Sequence, residues 1–589
     1  MKSKKWLISL GLAVILVVSF AIPACTGEPT EYLHSPYTDE KIELTLTVAN
    51  MPADWVSMGG MIVDQLQDFG IDASLTTMEH ATYTSKMYDP IEGGLQMWIY
   101  SYGPGYDPYG DWIWSSLSDW FYMGMYWNGT YWYNATYDEL YWQNYHTSNL
   151  EEKQAILYEM QEILNEELPK YLLLRGDIIA AYRTDRWTNW HMSIGGVANW
   201  LNVWSVLDAE AVDGATRMDI GFPSDMPNLF MDNDVIDQTT LGCFYKVVLY
   251  ECLAILTKIE VGHEEDAYLF TPRLAANYSV STENRTHPVY NTTWEAQVWT
   301  IELQEDAKWH DGVNFTAYDV EYTAKNVWTP WDPDKPVTWQ AYEESWDMND
   351  LVWWVEVVND HTIEFIYEDA INPNYPPPWW HWQIIAPKHI FEPDEREPSE
   401  WDGNSIGTGP FKFVEHVPGE YQHWTRNDDW WGDDLPEVQD LYCRTYPSTS
   451  AEMLALQAGD IDAFAEHGLP PALIEEMEAN PDITVEIMRG SGIVDLGFNF
   501  YSDGYRDEEG GGPYLEPEVN PLQDKVLRQA IAYAIDMEAI IDLVYQGYGT
   551  LTDSYIYDES PNYNPDLEMY EFDTTTARNI LEAAGYYWA

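Results

Sequence analysis

The sequence predicts an α/β protein with more than one hydrophobic core, and three observations predict it. Segments whose apolar residues recur at every second position stand beside segments in which they recur every third or fourth. Helix-capping residues precede the second kind, and glycine or proline ends them. The 589 residues are 46% hydrophobic and 15% aromatic, enough apolar surface for two or more cores.

The elements follow in order. Ile42, Leu44, Leu46 and Val48 alternate with Glu43, Thr45 and Thr47, which marks a strand. Met58, Met61, Ile62, Leu66 and Phe69 recur at helical spacing before Gly70, and 71–75 reads as a second strand, giving a βαβ unit. Ser148 and Glu151 have capping-box spacing at the head of a helix over 148–168, which Pro169 ends, and 171–174 is strand-like. Trp299, Ile301 and Leu303 alternate before a turn at 310–312, and Thr316 with Asp319 caps a helix through 327. Three helices close the chain, over 520–534, 536–547 and 573–585. The last has no evident strand after it on which to pack. The polar stretch 502–520, with three consecutive glycines, reads as a surface insertion.

Lys2, Lys4 and Lys5 precede an apolar run from Trp6 to Ile22, then Pro23-Ala24-Cys25, the pattern of a secretion signal cut before a cysteine that takes lipid. The expectation is a signal peptide over 1–24, a lipidated spacer over 25–40 and a body outside the cytoplasm. That body would be held at the outer face of the cell membrane through Cys25.

Ninety-nine Asp and Glu against 28 Lys and Arg give a formal charge of −71, spread along the chain. Nucleic acid is excluded as a partner, because binding it depends on Lys and Arg displacing counterions. Cys243, Cys252 and Cys443 lack metal-ligand spacing and allow at most one disulfide. Six N-x-S/T sequons stand at Asn128, Asn134, Asn277, Asn284, Asn291 and Asn314. No H-E-x-x-H or phosphate-cradling glycine loop points to catalysis, so no catalytic residue, metal or cofactor is expected. An adhesive surface protein or a secreted hydrolase is the alternative of another class.

Several motifs then occur in one order. They are Tyr250-Glu251-Cys252-Leu253, Pro272-Arg273-Leu274-Ala275, Lys308-Trp309-His310-Asp311-Gly312 with Phe315-Thr316-Ala317-Tyr318-Asp319-Val320, and Pro387-Lys388-His389-Ile390. Gly407-Thr408-Gly409-Pro410-Phe411, Arg426-Asn427-Asp428-Asp429-Trp430-Trp431-Gly432, Ala458-Gly459-Asp460-Ile461-Asp462 and the run Val526 to Asp536 follow. In these the chain from 218 onward resembles the extracytoplasmic solute-binding proteins of family 5, the dipeptide-, oligopeptide- and nickel-binding components of ABC importers. Residues 41–205 resemble the C-terminal third of the same family, placed first.

The resemblance implies a two-lobed clamshell of the periplasmic-binding-protein type II, with mixed sheets flanked by helices, closing on a small solute. It implies a peptide as ligand, with an oligosaccharide as the alternative, an ABC permease complex as partner, and a monomer. Two arrangements stay open, a circular permutant in which both ends complete one protein and a truncated tandem pair. For the permutant, 206–217 is a flexible linker, lobe I is 218–490 with 178–205, and lobe II is 491–589 with 41–177. Where peptide binders of the family carry an aspartate for the peptide ammonium, this chain has Pro104, leaving Asp107 as the nearest acid. Trp98, Tyr102 and Tyr106 are the aromatic candidates for the cleft. His310 and Asp311 are expected to be structural.

Overall fold

The computed structural model describes residues 31–50, 53–88, 94–102, 130, 132–147, 149–192, 197, 202–222, 246–256, 270–286, 291, 293–324, 354–367, 384–392, 405–432, 434–464, 469–501, 517, 520–556, 558, 560 and 562–589. The signal run, Cys25, Cys243, Tyr106, Asp107 and Asn128 lie outside them, as does nearly all of the glycine-rich stretch.

After a short strand β1 (Leu33–His34), the βαβ unit forms as its periodicity requires. Strands β2 (Glu43–Ala49) and β3 (Asp72–Met78) run parallel on either side of helix α1 (Ala53–Phe69) in sequence. Met58, Ile62, Leu66 and Phe69 of α1 are buried, and Gly70 ends the helix at φ 104°, where a side chain would be strained. Helix α2 (His80–Tyr88), strand β4 (Met97–Tyr102) and helices α3 (Ala135–His146) and α4 (Leu150–Glu167) follow. The cap of α4 is Asn149, whose side chain accepts from the Glu151 and Glu152 N–H groups, one residue later than the capping-box spacing indicates.

A 14-residue strand β5 (Lys170–Arg183) leads to β6 (Trp187–Thr188), a single helical turn α5 (Trp204–Leu207), β7 (Glu210–Ala211) and β8 (Arg217–Phe222). The span 206–217 contains the end of α5, β7 and the turn into β8. Val206 and Ala209 are buried and β7 pairs with β6, because the apolar residues of this stretch have a core to enter.

Short strands β9 (Ala254–Leu256) and β10 (Phe270–Pro272) precede a four-stranded antiparallel sheet. It comprises β11 (Ala275–Thr286), β12 (Thr293–Leu303), β13 (Trp354–Asn359) and β14 (Thr362–Tyr367), in the order 11-12-14-13. Two helices accompany it, α6 (Ala317–Thr323), with the predicted Thr316–Asp319 capping box, and α7 (Lys388–Phe391). Strands β15 (Phe411–Val417), β16 (Tyr421–Arg426) and β17 (Asp440–Thr445), helix α8 (Thr449–Ala458), strand β18 (Ala463–Phe464) and helix α9 (Ile474–Glu478) lead to β19 (Ile483–Phe498). The chain finishes with α10 (Lys525–Ala534), α11 (Met537–Val544), β20 (Gly549–Thr550), α12 (Thr574–Ala583) and β21 (Tyr587–Trp588).

One mixed sheet joins most of these strands, in the order 15-16-17-8-18-5-19-4-2-3, with β20 added beside β5. Its residues divide between separate cores. One core gathers Leu33 to Leu174 with Ile493 to Tyr586, and the others gather Ile179 to Ile483. These are the two α/β lobes of a type II clamshell, and β5 and β19 pass from one to the other.

The two ends of the described chain meet in the first core. Contrary to expectation, a strand does follow the last helix. β21 pairs antiparallel with β1, and Tyr32 and Ala589 exchange both backbone hydrogen bonds at 2.9 Å. Trp588 donates its indole N–H to Phe69 O at 3.1 Å, meets the Phe69 ring edge-on and lies under the Arg578 guanidinium at 3.8 Å.

In the other lobe, His310 accepts from Gly407 N–H at 3.1 Å through Nδ1, so its Nε2–H donates to Gly409 O at 3.0 Å. Burial holds its pKa down to about 4, so it is a neutral clasp between loops. Asp311 accepts from His389 at 2.8 Å, and Cys252 and Cys443 are both buried.

Trp588→Ala removes the ring that ties the end of the chain to α1. It is expected to lower unfolding stability by about 2 to 3 kcal/mol, somewhat under the range for a fully buried aromatic. Urea unfolding in a single transition checks this, and an unchanged midpoint would show that the ends are not energetically coupled.

Candidate hinge and ligand cleft

A site between two lobes is built first from the segments that cross between them. From Ile483 to Arg489, β19 pairs in register with Arg183 to Asp177 of β5, and from Ile493 onward it pairs with Arg175 and its predecessors. Between the two stretches β19 carries extra residues, a bulge that includes Gly490 and Gly492. A Cβ on Gly490 would overlap Gly176 O, so the close approach of the strands at the crossing needs glycine.

Arg175 stands at this crossing, 2% exposed. Its Nη2 donates to Ser554 O, Tyr555 O and Ile556 O at 2.9, 2.7 and 3.0 Å. One guanidinium thereby holds the segment after β20 against β5, while Arg489 pairs with Asp558 on the opposite strand. Glycines that bend beside an arginine that anchors are what a pivot requires.

On the lobe I side the crossing is tied to a buried charge network. Asp219, 3% exposed, accepts from Arg217 at 2.6 and 2.7 Å and from Arg444 at 2.7 Å, while Asp462 pairs with Arg186 at 2.6 Å. Asp462 also accepts the Asp219 backbone N–H at 2.8 Å, and Arg183 of β5 donates to Leu456 O at 3.0 Å. Nearby Glu452 is 2% exposed, its Oε1 has no hydrogen-bond partner among the described residues, and burial pushes its pKa up to about 7.

On the lobe II side, Lys170 of β5 and Asp495 of β19 form an ion pair at 3.5 Å with side chains 3% and 0% exposed. Desolvation pulls the lysine down and pushes the carboxyl up, and each opposes the other's shift. Tyr555, from the segment held by Arg175, lies beside Asp495. Sequence reasoning missed Lys170, Asp495 and Arg175. The available signal was a charged residue inside or at the head of an otherwise apolar strand run, which demands a buried partner.

Trp98, one of the predicted cleft residues, lies on β4 opposite Gly497 and is 1% exposed. Its indole N–H has no hydrogen-bond partner among the described residues, and a side chain at 497 would collide with the ring. Tyr102 pairs through its backbone with Ile493, where β19 re-enters register after the bulge. Trp98, Tyr102, Asp495 and Lys170 are thus brought onto adjacent strands, while Tyr106, Asp107 and Cys25 lie outside the described residues.

One serine-hydrolase spelling does occur, Gly403-Asn404-Ser405-Ile406-Gly407. Ser405 is 4% exposed in the irregular segment leading to β15, not on the strand-to-helix elbow that exposes a nucleophile.

Two predictions follow from the charges that flank the pivot. Because burial raises the Glu452 pKa above its unfolded value, the native state keeps a proton that the unfolded chain loses between the ordinary glutamate range and about 7. Stability from this group therefore falls as pH rises through that window. Glu452→Gln should melt above the parent at about pH 8, by about 1 to 3 kcal/mol, with no gain at about pH 4. For the ion pair, Asp495→Asn alone leaves Lys170 buried without a counter-charge and is expected to cost about 3 to 5 kcal/mol. Lys170→Met with Asp495→Leu should recover most of that loss, and a double-mutant cycle by chemical denaturation reads the coupling.

Comparison with known proteins fits this geometry. Residues 270–589 match the model of bacterial extracellular solute-binding proteins, family 5. The chain is 24% identical over 369 residues to the dipeptide-binding protein of Escherichia coli, covering 61% of each chain. It is 26% identical over 306 residues to the oligopeptide-binding protein AppA of Bacillus subtilis, covering 49% of this chain and 48% of that one. The chain thus spans less than two thirds of the length of these relatives. Among solved structures, NikA from Brucella suis in complex with Fe(III)-EDTA gives a TM-score of 0.45 at 20% identity, covering 63% of this chain and 64% of that one. AppA from B. subtilis in complex with a nonapeptide gives 0.39 at 21%, with coverage of 63% and 64%. With the family's model matching more than half of its residues, the chain belongs to the extracellular solute-binding proteins of family 5.

Proposed function

We propose that this protein captures a small solute outside the cytoplasm, a peptide first among candidates, and presents it to the permease of an ABC importer without chemical change. The observation that carries this reading is the pair of strands shared by two separately cored lobes and relieved by glycine where they cross. Such a pair can bend without breaking either core. A ligand that contacts both lobes then closes them by the difference between its affinities for the closed and open states. The names of the relatives, a dipeptide-binding and an oligopeptide-binding protein, support a peptide as ligand.

In this reading lobe I is 218–490 with 178–205, and lobe II is 491–589 with 41–177, one clamshell assembled from both ends of the chain. The packing of β1 against β21 supports that assembly over two separate half-lobes. Of the sequence candidates for ligand contact, Tyr102, Tyr106 and Asp107 are kept, while Trp98, 1% exposed, belongs to the core beneath them, and an acid other than the family's usual aspartate takes a peptide ammonium. Cys25 carries the lipid that holds the monomer at the outer face of the membrane. Among the described residues, no helix is long and apolar enough to cross a membrane.

A thermal-shift screen of the mature chain with di- to nonapeptides, oligosaccharides and chelated metal ions tests the reading, followed by calorimetric titration of any hit. A peptide at about 100 times its Kd is expected to add about 2.7 kcal/mol of stability. Stabilisation by an oligosaccharide alone would reassign the ligand. Stabilisation by none of the panel, with measurable turnover of a peptide or glycoside, would overturn the transport role.

A further inference from the structure

We infer that Asn277 and Asn284 are N-glycan acceptors whose glycans cover the open edge of β11. Strand β11 ends the order of its four-stranded sheet, pairing with β12 through Thr286 opposite Thr293 and with no other described strand. Twelve extended residues present an edge of about 40 Å. An edge of that length exposes a row of unpaired N–H and C=O groups that another chain can extend.

Soluble proteins block such edges with lysine, proline, outward charge or a covering element. This strand, Ala-Ala-Asn-Tyr-Ser-Val-Ser-Thr-Glu-Asn-Arg-Thr, contains neither lysine nor proline and is rich in residues that favour pairing. Its one cation is drawn across the sheet. Arg285 donates to Glu283, Glu364 and Glu356 at 3.0, 2.7 and 3.4 Å, so the strand's two charged side chains, Glu283 and Arg285, are tied into one ion-pair cluster near its end and leave the rest of the edge without charge. A bulge at Ala275/Asn277 marks only one end.

Both sequons stand on this strand, one beside the bulge and one seven residues on. Asn277 with Ser279 and Asn284 with Thr286 are all exposed, neither asparagine side chain has a hydrogen bond among the described residues, and the Thr286 hydroxyl shares one with Thr293 at 2.8 Å while staying on the surface. Amide nitrogens free of other bonds, with an accessible hydroxyl two residues on, are what oligosaccharide transfer needs. A bulky hydrophilic group at each position supplies the steric guard that the strand's own side chains lack.

The test uses the full chain, leader included, secreted from a cell that performs asparagine-linked glycosylation. Peptides released by an N-glycosidase in heavy-oxygen water are then read by mass spectrometry. Isotope-labelled aspartate at both 277 and 284 is the expected result, and unmodified asparagine at either overturns the proposal. For the covering role, Asn277→Gln/Asn284→Gln and Ser279→Ala/Thr286→Ala chains, which both lose the sequons while only the second keeps the asparagines, are compared by light scattering. Both are expected to melt with the parent and to self-associate at high concentration, with about a twofold rise in mass for a dimer. Occupied sites in the parent combined with monomeric variants would remove the covering role.

Discussion

Two antiparallel strands belong to two hydrophobic cores at once, and the rest of the molecule is arranged around that shared pair. The core that gathers Leu174 and Ile493 and the core that gathers Ile179 and Ile483 draw on successive stretches of the same backbone ladder. A continuous, regular ladder would lock the two bodies into one rigid slab. The bulge on β19 and the glycines at 176 and 490 interrupt it where apolar burial is lowest, so bending there disturbs neither core. Charge is placed accordingly. The Lys170–Asp495 pair, desolvated on both sides and costly to break, lies on one side, and the Asp219–Asp462 network, whose carboxylates are buried while its arginines reach the surface, lies on the other.

The segment after β20 links this crossing to the lobe II interior. Arg175 satisfies three consecutive carbonyls that would otherwise be buried without donors, and in doing so places Tyr555 beside Asp495. The crossing is therefore joined by hydrogen bonds to the segment that carries Tyr555. By contrast, the family signature around Trp309 and His310 serves the frame. A neutral imidazole bridges Gly407 and Gly409 and fixes the loop against the segment at 248–250.

An acidic surface and a sterically guarded edge are different solutions to the same problem of remaining unassociated. The formal charge of −71 keeps molecules apart at long range, but salt screens that repulsion beyond about 10 Å. Strand-to-strand pairing acts inside that distance, so an edge whose two charges are paired with each other near one end needs a steric barrier. The long β11 edge and its two sequons are understood together in those terms.

By itself, the sequence determined the local elements and the family. The alternation at 42–48, the helical spacing at 58–69 and the caps at Thr316, Asp536 and Asp573 depend on residues within a turn or two of each other, and short-range geometry makes such patterns readable. The ordered motifs carried the fold through resemblance. Tertiary structure alone decided which strands pass between cores, that β21 closes on β1, that 206–217 packs in place, and that Lys170 finds Asp495. Those outcomes join residues hundreds of positions apart. A charge in an apolar run shows that a partner must exist, but only the packed chain brings one within 3.5 Å, because the desolvation it must offset arises when the cores close.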